Sequence, residues 1–171
     1  MHQVVGLFES RGAAESTIHR LKETGIGLDL VSIALKDEQD ARELAESTGA
    51  EDLSGEGATA GAISGAAVGT LVGLALLGST IVLPGVGTFL VGGPLAAALT
   101  GAGIGAASGG LIGALIGSGI PELEAEHYSK GIESGGILVS SRVPDDLGPT
   151  VEHIYQEEGA TRTTLTPLAD D

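Results

Sequence analysis

The chain has 171 residues, and its 23 acidic and 8 basic residues give a formal net charge of −15. A surface this acidic repels nucleic acid and anionic lipid headgroups, which argues against nucleic-acid binding. Cysteine is absent, which excludes disulfides and thiolate metal sites. The opening Met-His-Gln-Val-Val-Gly lacks a basic start followed by an apolar run, so we expect no secretory signal peptide.

The first zone, residues 1–50, is predicted to be a β-α-β unit. Apolar residues at 4–8 predict a short buried strand. Ser10 is placed to cap a helix that runs to about Thr24, and Gly25 suits the left-handed position that ends a helix. A second strand is predicted over residues 28–35. The apolar positions of the helix fall on one face, at Ala14, Ile18 and Leu21.

The central zone, residues 57–121, contains no Asp, Glu, Lys, Arg or His. Two rows of glycine with a spacing of four residues run through it. Each interior glycine costs a helix roughly 0.5–1 kcal/mol relative to alanine, so ten would cost about 5–10 kcal/mol, as much as a whole domain's stability. Close approach of helix backbones is the expected compensation. The two glycine ladders are Gly57, Gly61, Gly65, Gly69 and Gly73, then Gly101, Gly105, Gly109, Gly113 and Gly117.

Two helices are predicted in this zone, over about 57–83 and 95–120, with a turn at Pro84-Gly85. Each is long enough to cross a bilayer, which requires about 20 apolar residues. Because the ladders should run antiparallel, we expect a Gly/Ala-rich helical hairpin over residues 57–120. Rows of small residues at a four-residue spacing favour a right-handed crossing of about −40 to −50°.

The hairpin leaves several arrangements open. The ladders can pack against each other within one chain, or each can meet a neighbouring copy and build a homo-oligomer, which we predict. The uncharged sequence favours membrane embedding, whereas the acidic flanks provide no basic residues to set a topology. A soluble closed homo-oligomer or shell that buries its hairpins in a shared core is the alternative.

The last zone, residues 121–171, is predicted to be a helix followed by a second β-α-β unit. Pro121 is suited to open a helix that runs to about Ser134, followed by a strand at 137–139. Asp145 is placed to cap a further helix that ends at Gly159, and a weaker strand follows at residues 161–165. The candidate buried positions are Leu123, Tyr128, Ile132, Leu147, Val151, Ile154 and Tyr155.

Signals for catalysis or cofactor binding are weak. Glu124 and His127 have a spacing found in carboxylate-bridged metal sites, but a second copy of the motif is missing. The glycine zone contains no lysine and therefore no phosphate-binding Gly-Lys-Ser or Gly-Lys-Thr. We therefore expect no enzymatic activity, no catalytic residues, no cofactor and no metal site.

Several segments resemble the bacterial general stress protein 17M-like family. The chain is similar to bacterial and archaeal proteins that join this domain to a glycine-zipper segment. The resemblance implies a stress-linked protein without established catalytic residues. It is carried by Val4-Val5-Gly6-Leu7-Phe8-Glu9, Ala13-Ala14-Glu15, Leu21-Lys22-Glu23-Thr24-Gly25, Val31-Ser32-Ile33, Leu83-Pro84-Gly85-Val86-Gly87, Gly93-Pro94-Leu95-Ala96-Ala97-Ala98, Gly119-Ile120-Pro121-Glu122 and Gly135-Gly136-Ile137-Leu138-Val139.

The predicted fold class is α+β, with ferredoxin-like split β-α-β halves interrupted by the Gly/Ala-rich antiparallel helical hairpin. The predicted domains are the first half at 1–50, the glycine-zipper hairpin at 57–120 and the second half at 121–171. We expect a non-enzymatic, stress-associated structural protein whose partner is itself. Its expected location is membrane-associated with cytoplasmic domains, or alternatively cytoplasmic.

Overall fold

The computed structural model describes residues 1–36, 79–83, 87–95 and 103–168. Along the chain the described helices and strands are β1 (His2–Phe8), α1 (Arg11–Glu23), a 3-10 turn (Leu28–Leu30), β2 (Val31–Lys36), β3 (Ser79–Leu83), β4 (Gly87–Gly92), α2 (Gly103–Gly117), α3 (Glu122–Glu133), β5 (Ile137–Val143), α4 (Gly148–Glu157) and β6 (Arg162–Pro167). The fold class is α+β, as the sequence predicts.

The strands form one antiparallel sheet with the order β3-β4-β2-β5-β1-β6. Strand β5 lies between β1 and β2, so that Leu138 is opposite Leu7 on one side and Ala34 on the other. Strand β1 in turn lies between β5 and β6. The two ends of the chain therefore interleave in a single sheet, and neither half builds that sheet alone.

Helices α1 and α4 cover one face of the sheet. The residues that β1 contributes to this face include Val4 and Phe8, both fully buried. The Phe8 ring meets the Tyr155 ring edge-on, with centroids 5.7 Å apart. The Tyr155 hydroxyl lies 2.8 Å from the Ser141 hydroxyl, which satisfies its hydrogen-bonding need inside the core.

Helices α2 and α3 cover the opposite face. Val5 and Leu138 point to this side, where they join the buried Leu115, Tyr128 and Ile132 in a second apolar core. The sheet is thus the middle of three layers, whereas the ferredoxin-like arrangement that the sequence predicts has its helices on one face of the sheet, with the hairpin separate. This second core exists because β1, β2 and β5 carry apolar residues on both faces.

The predicted first helix and its ends are confirmed. The Ser10 hydroxyl accepts a hydrogen bond from the Ala13 backbone N–H at 3.2 Å and caps α1. The residue that ends the helix, Gly25, has φ +85°, a value that glycine adopts without strain. The three residues predicted on the buried face are fully buried: Ala14, Ile18 and Leu21.

The predicted helical hairpin requires a correction. Residues 79–83, placed in its first helix, form strand β3, which pairs with β4. Strand β4 pairs with β2, with Ile33 opposite Gly92 and Lys36 opposite Phe89. β-Branched and aromatic residues prevail in these two segments, and the free edge of β2 supplies backbone partners that an isolated helix would lack. The first glycine ladder, Gly101 and the predicted turn at 84–85 lie outside the described residues.

The second predicted helix is also different from the expectation. Helix α2 begins at Gly103 among the described residues and is broken at Gly110, where φ is +59° and ψ is −147°. Among the described residues, its contacts are with α3, β3 and the second core. Within the described ranges, no helix combines the length and the apolar character that crossing a bilayer needs.

Three smaller predictions are wrong. Leu123 is 82% exposed, although the sequence pattern places it in the core. Asp145 does not cap α4; its carboxylate lies 2.7 Å from His2 Nδ1, and Leu147 precedes the helix without a side-chain cap. Residues 28–30, expected in the second strand, form the 3-10 turn. Leu123 lies on the outer face of its helix, Asp145 is engaged by His2, and the 3-10 turn is closed locally by the hydrogen bond from Leu30 N–H to Gly27 O at 3.0 Å.

Candidate association surface

The outer side of α2 is the candidate surface, and it contains the described end of the second ladder. Gly117 is exposed, Gly113 is half-buried, and Ile116 is 40% exposed. We call these three residues the outer face of α2. Spacings of three and four residues place them on one side of the helix. The predicted ladder glycines thus face away from the sheet in this part of the helix.

The inner side of α2 holds the helix on the sheet. Leu111, Ala114 and Leu115 are 4%, 3% and 0% exposed and lie in the second core. Their spacing follows the helical repeat, offset from the glycine row. Anchoring of this segment therefore depends on its aliphatic residues.

The end of α2 is fixed by backbone hydrogen bonds. The N–H of Gly119, with φ +98°, donates to Ile116 O at 2.9 Å, and the N–H of Ile120 donates to Leu115 O at 3.2 Å. This pair of bonds is a Schellman motif, with Ile120 and Leu115 both buried as its apolar contact. The Ser118 hydroxyl also donates to Leu115 O at 2.6 Å. The outer face is therefore held by a rigid helix end.

Helix α3 is fastened to strand β6 by a polar network. The Arg162 guanidinium donates to both oxygens of Glu124, at 2.5 and 2.7 Å, and the Thr164 hydroxyl donates to the same carboxylate at 3.1 Å. The hydrogen bonds from Arg162, more than the weaker one from Thr164, lower the pKa of Glu124 below its ordinary value. Both carboxylate oxygens of Glu124 are therefore engaged in hydrogen bonds that hold α3 against β6.

Tyr128 continues this network into the core. Its hydroxyl donates to Val5 O at 3.2 Å and lies 2.7 Å from the Thr164 hydroxyl. Burial, which disfavours the charged phenolate, raises the pKa of Tyr128 to about 12. This tyrosine therefore serves as a neutral hydrogen-bonding anchor at physiological pH.

The structure does not support a metal site at Glu124 and His127, whose spacing is the weak metal signal of the sequence. Both oxygens of Glu124 are hydrogen-bonded to Arg162, and His127 is exposed. Across the described ranges, no three His, Asp or Glu side chains are grouped as metal ligands would be.

Residues 3–82 match the family model of the heat induced stress protein YflT domain. The first part of the chain is therefore similar to the YflT domain. The match confirms the resemblance to general stress proteins that the sequence indicates. Neither the search of curated proteins nor the search of solved structures found a match.

The matched region includes β1, α1, β2 and β3, but the sheet needs more of the chain. Strand β5, which separates β1 from β2, and β6, at the edge, both follow residue 82. The outer face of α2 also lies beyond the YflT match. The described structural unit is therefore larger than the YflT match.

Sequence reasoning identified Gly113 and Gly117 of the surface but missed the exposure of Ile116, and it misplaced Leu123 of α3. The position of Leu123 was predictable: the buried Ala125, Tyr128 and Ile132 define one face of α3, and a residue two places before Ala125 lies on the other side. The outward position of Ile116 had no such signal, because α2 is apolar all around. Gly105 and Gly109 belong to α2, and the packing role of all the ladder glycines stays a prediction.

Proposed function

We propose that this protein is a non-enzymatic, stress-associated structural protein that associates with copies of itself through the outer face of α2. The observation that carries the proposal is the exposure of Ile116 and Gly117 on a helix without a single charged residue. The YflT match supports the stress-associated part. The proposed association gives the outward ladder glycines a packing partner.

Charge supports a second copy as the occupant of this surface. Two copies with a net charge of −15 each repel one another, so their contact should lie where charge is absent. Helix α2 meets that condition, and it presents both a flat glycine row and the protruding Ile116. A twofold arrangement would set the Ile116 side chain of one copy against the glycines of the other, as an isologous contact requires.

A ferredoxin-like core is part of the proposal. The strand order β2-β5-β1-β6 and the placement of α1 and α4 on one face support it. Strands β3 and β4 extend this core beyond β2, and α2 and α3 cover the face that a simple ferredoxin-like sheet exposes. Because helices cover both faces of the sheet, we expect a further partner to contact the outer face of α2.

Membrane association is retained as a narrower proposal. Residues 57–78 are uncharged and long enough to enter a bilayer. A single crossing there would put residues 1–36 and 79–168 on opposite sides, which is incompatible with the pairing of β2 with β4 and of β1 with β5. Contact with lipid would therefore have to be made from one side, with the sheet in the cytoplasm. The alternative, a homo-oligomer in the cytoplasm, needs no lipid.

The test is the mass of the full chain by size-exclusion chromatography with light scattering, after lysis without detergent. We expect wild-type protein to form a defined homo-oligomer. Gly117→Leu should lower the mass to that of the monomer, because the added side chain fills the flat face. Pelleting of the wild-type chain with membranes would support the lipid proposal over the cytoplasmic one.

A matched control separates a specific loss from general disturbance. His153 on α4 has a side chain that is 70% exposed, and His153→Leu adds a similar apolar group on another helix. This variant should keep the wild-type mass. A monomeric wild-type chain, or equal masses for wild type and Gly117→Leu, would refute the association.

A further inference from the structure

Helix α2 contains a break that packing does not explain. At Gly110 the backbone has φ +59° and ψ −147°, a combination that is essentially restricted to glycine. A Cβ atom at this position would meet no heavy atom within 4 Å. A side chain would therefore fit at position 110, and glycine is needed there only because of its backbone conformation.

The break is located where the helix docks on the sheet. Leu111, the next residue, is 4% exposed and lies in the second core, the first to do so among the α2 side chains that the structure describes. From there to the Schellman motif at Gly119 the helix is anchored by buried side chains and backbone bonds. Residues 103–109 precede the break and take a different direction, since a non-helical residue separates the two parts.

The break divides the second ladder. Gly113 and Gly117 lie in the docked part, whereas Gly105 and Gly109 lie before the bend. A row with a four-residue spacing is continuous along a helix surface only where the helix itself is continuous. In the bent form, a partner helix can therefore follow just one segment of the row.

We infer that Gly110 is a hinge between this bent form and a straight form of α2 in which the ladder is one uninterrupted surface. Straightening leaves residues 111–117 in their places on the sheet and changes the path of residues 103–109 alone. It also restores helical hydrogen bonds across the break. A partner that contacts the whole row binds the straight form better and shifts the equilibrium towards it. This inference rests on the proposed self-association.

The substitution Gly110→Ala tests the hinge, because alanine disfavours the observed φ and ψ and favours helix. The chain lacks cysteine, so nitroxide labels can be attached at Ala106→Cys and His153→Cys, one on each side of the hinge. We expect Gly110→Ala to shift the distance distribution between the labels. Association should strengthen about fivefold, the factor that corresponds to the helix propensity difference between alanine and glycine.

Gly12→Ala is the matched control, since Gly12 also lies in a helix and a Cβ atom added there would have no heavy atom within 4 Å. It should change neither the label distances nor the association. Unchanged distances in folded Gly110→Ala, or in a second variant Gly110→Ser, would overturn the hinge. Shifted distances without stronger association would instead overturn the coupling between the hinge and self-association. If the wild-type chain is also monomeric, the proposed function is overturned as well.

Discussion

At the scale of single residues, several glycines outside the ladders permit close approach. A Cβ at Gly6 would overlap the Tyr155 ring on one face of β1, and a Cβ at Gly131 would overlap the Leu7 side chain on the other. Gly93 has φ +77°, and a Cβ there would overlap the Val31 carbonyl oxygen. These positions set the spacing between the layers and the turn from β4, so they should tolerate substitution poorly.

Gly6→Ala should lower the free energy of unfolding by about 1–3 kcal/mol, the usual cost of overfilling a packed core. The reason is that Tyr155 is fully buried, and close-packed protein interiors leave a ring little room to move. Urea denaturation followed by circular dichroism measures the effect. Gly12→Ala, in an open helical position, should raise stability by roughly 0.5–1 kcal/mol. A Gly6→Ala variant as stable as wild type would contradict this account of the packing.

At the scale of helices and strands, α3 is placed by its buried face and by one polar connection. Ala125, Tyr128 and Ile132 are fully buried against the sheet, and Glu124 joins the helix to edge strand β6 through Arg162. The carboxylate side chain is 21% exposed, so it is screened less than a surface ion pair. This connection should make the stability of the α3 layer dependent on pH.

Glu124→Gln should lower the free energy of unfolding by about 1 kcal/mol at pH 7, because it replaces charge-assisted hydrogen bonds by weaker ones. The folded-state pKa of Glu124 lies below its ordinary value of 4.5, so the stabilisation is present above pH 4.5 and is lost as the pH falls through the lower folded-state pKa. The difference between variant and wild type should therefore narrow in acid.

Urea denaturation at a series of pH values provides this measurement. Glu126→Gln is the matched control: Glu126 pairs with Lys130 on the same helix at 2.8 Å, but both side chains are largely exposed. Its substitution should change stability little at any pH. A Glu124→Gln effect of constant size from pH 7 into acid would show that the loss comes from packing and not from charge.

At the scale of the whole molecule, the excess of acidic residues dominates the electrostatics. Several basic residues of the described part are already paired, such as Arg20, which donates to Glu157 and Glu158 at 2.9 Å each. With 23 acidic residues and 8 basic ones, most carboxylates have no cation to neutralise them. The remaining repulsion destabilises the compact state and opposes association.

Adding sodium chloride from about 0.1 to 1 M should raise the thermal midpoint, because the Debye length falls from about 10 to 3 Å and repulsion among carboxylates is screened. Exposed ion pairs weaken as well, but each contributes only about 0–1 kcal/mol. Thermal unfolding monitored by circular dichroism measures the shift. An uncharged osmolyte at equal osmolality is the control, and a midpoint that falls with salt would contradict the prediction.

The sequence by itself determined the elements whose signals are local. The Ser10 cap, the end of α1 at Gly25, the buried stripe of α1 and the α+β class follow from patterns within a few residues. The YflT relationship is likewise readable from short segments of the first half.

Only the tertiary structure decided that residues 79–83 and 87–92 form strands, and which residues α3 contacts. Residues 79–92 are uncharged and apolar, which fits a helix or a strand, and the exposed edge of β2 selected the strand by providing backbone partners. The bend at Gly110 and the link from Glu124 to Arg162 join residues that no local pattern relates. Local propensity acts over a few residues, whereas backbone pairing and burial depend on which segments the fold brings together.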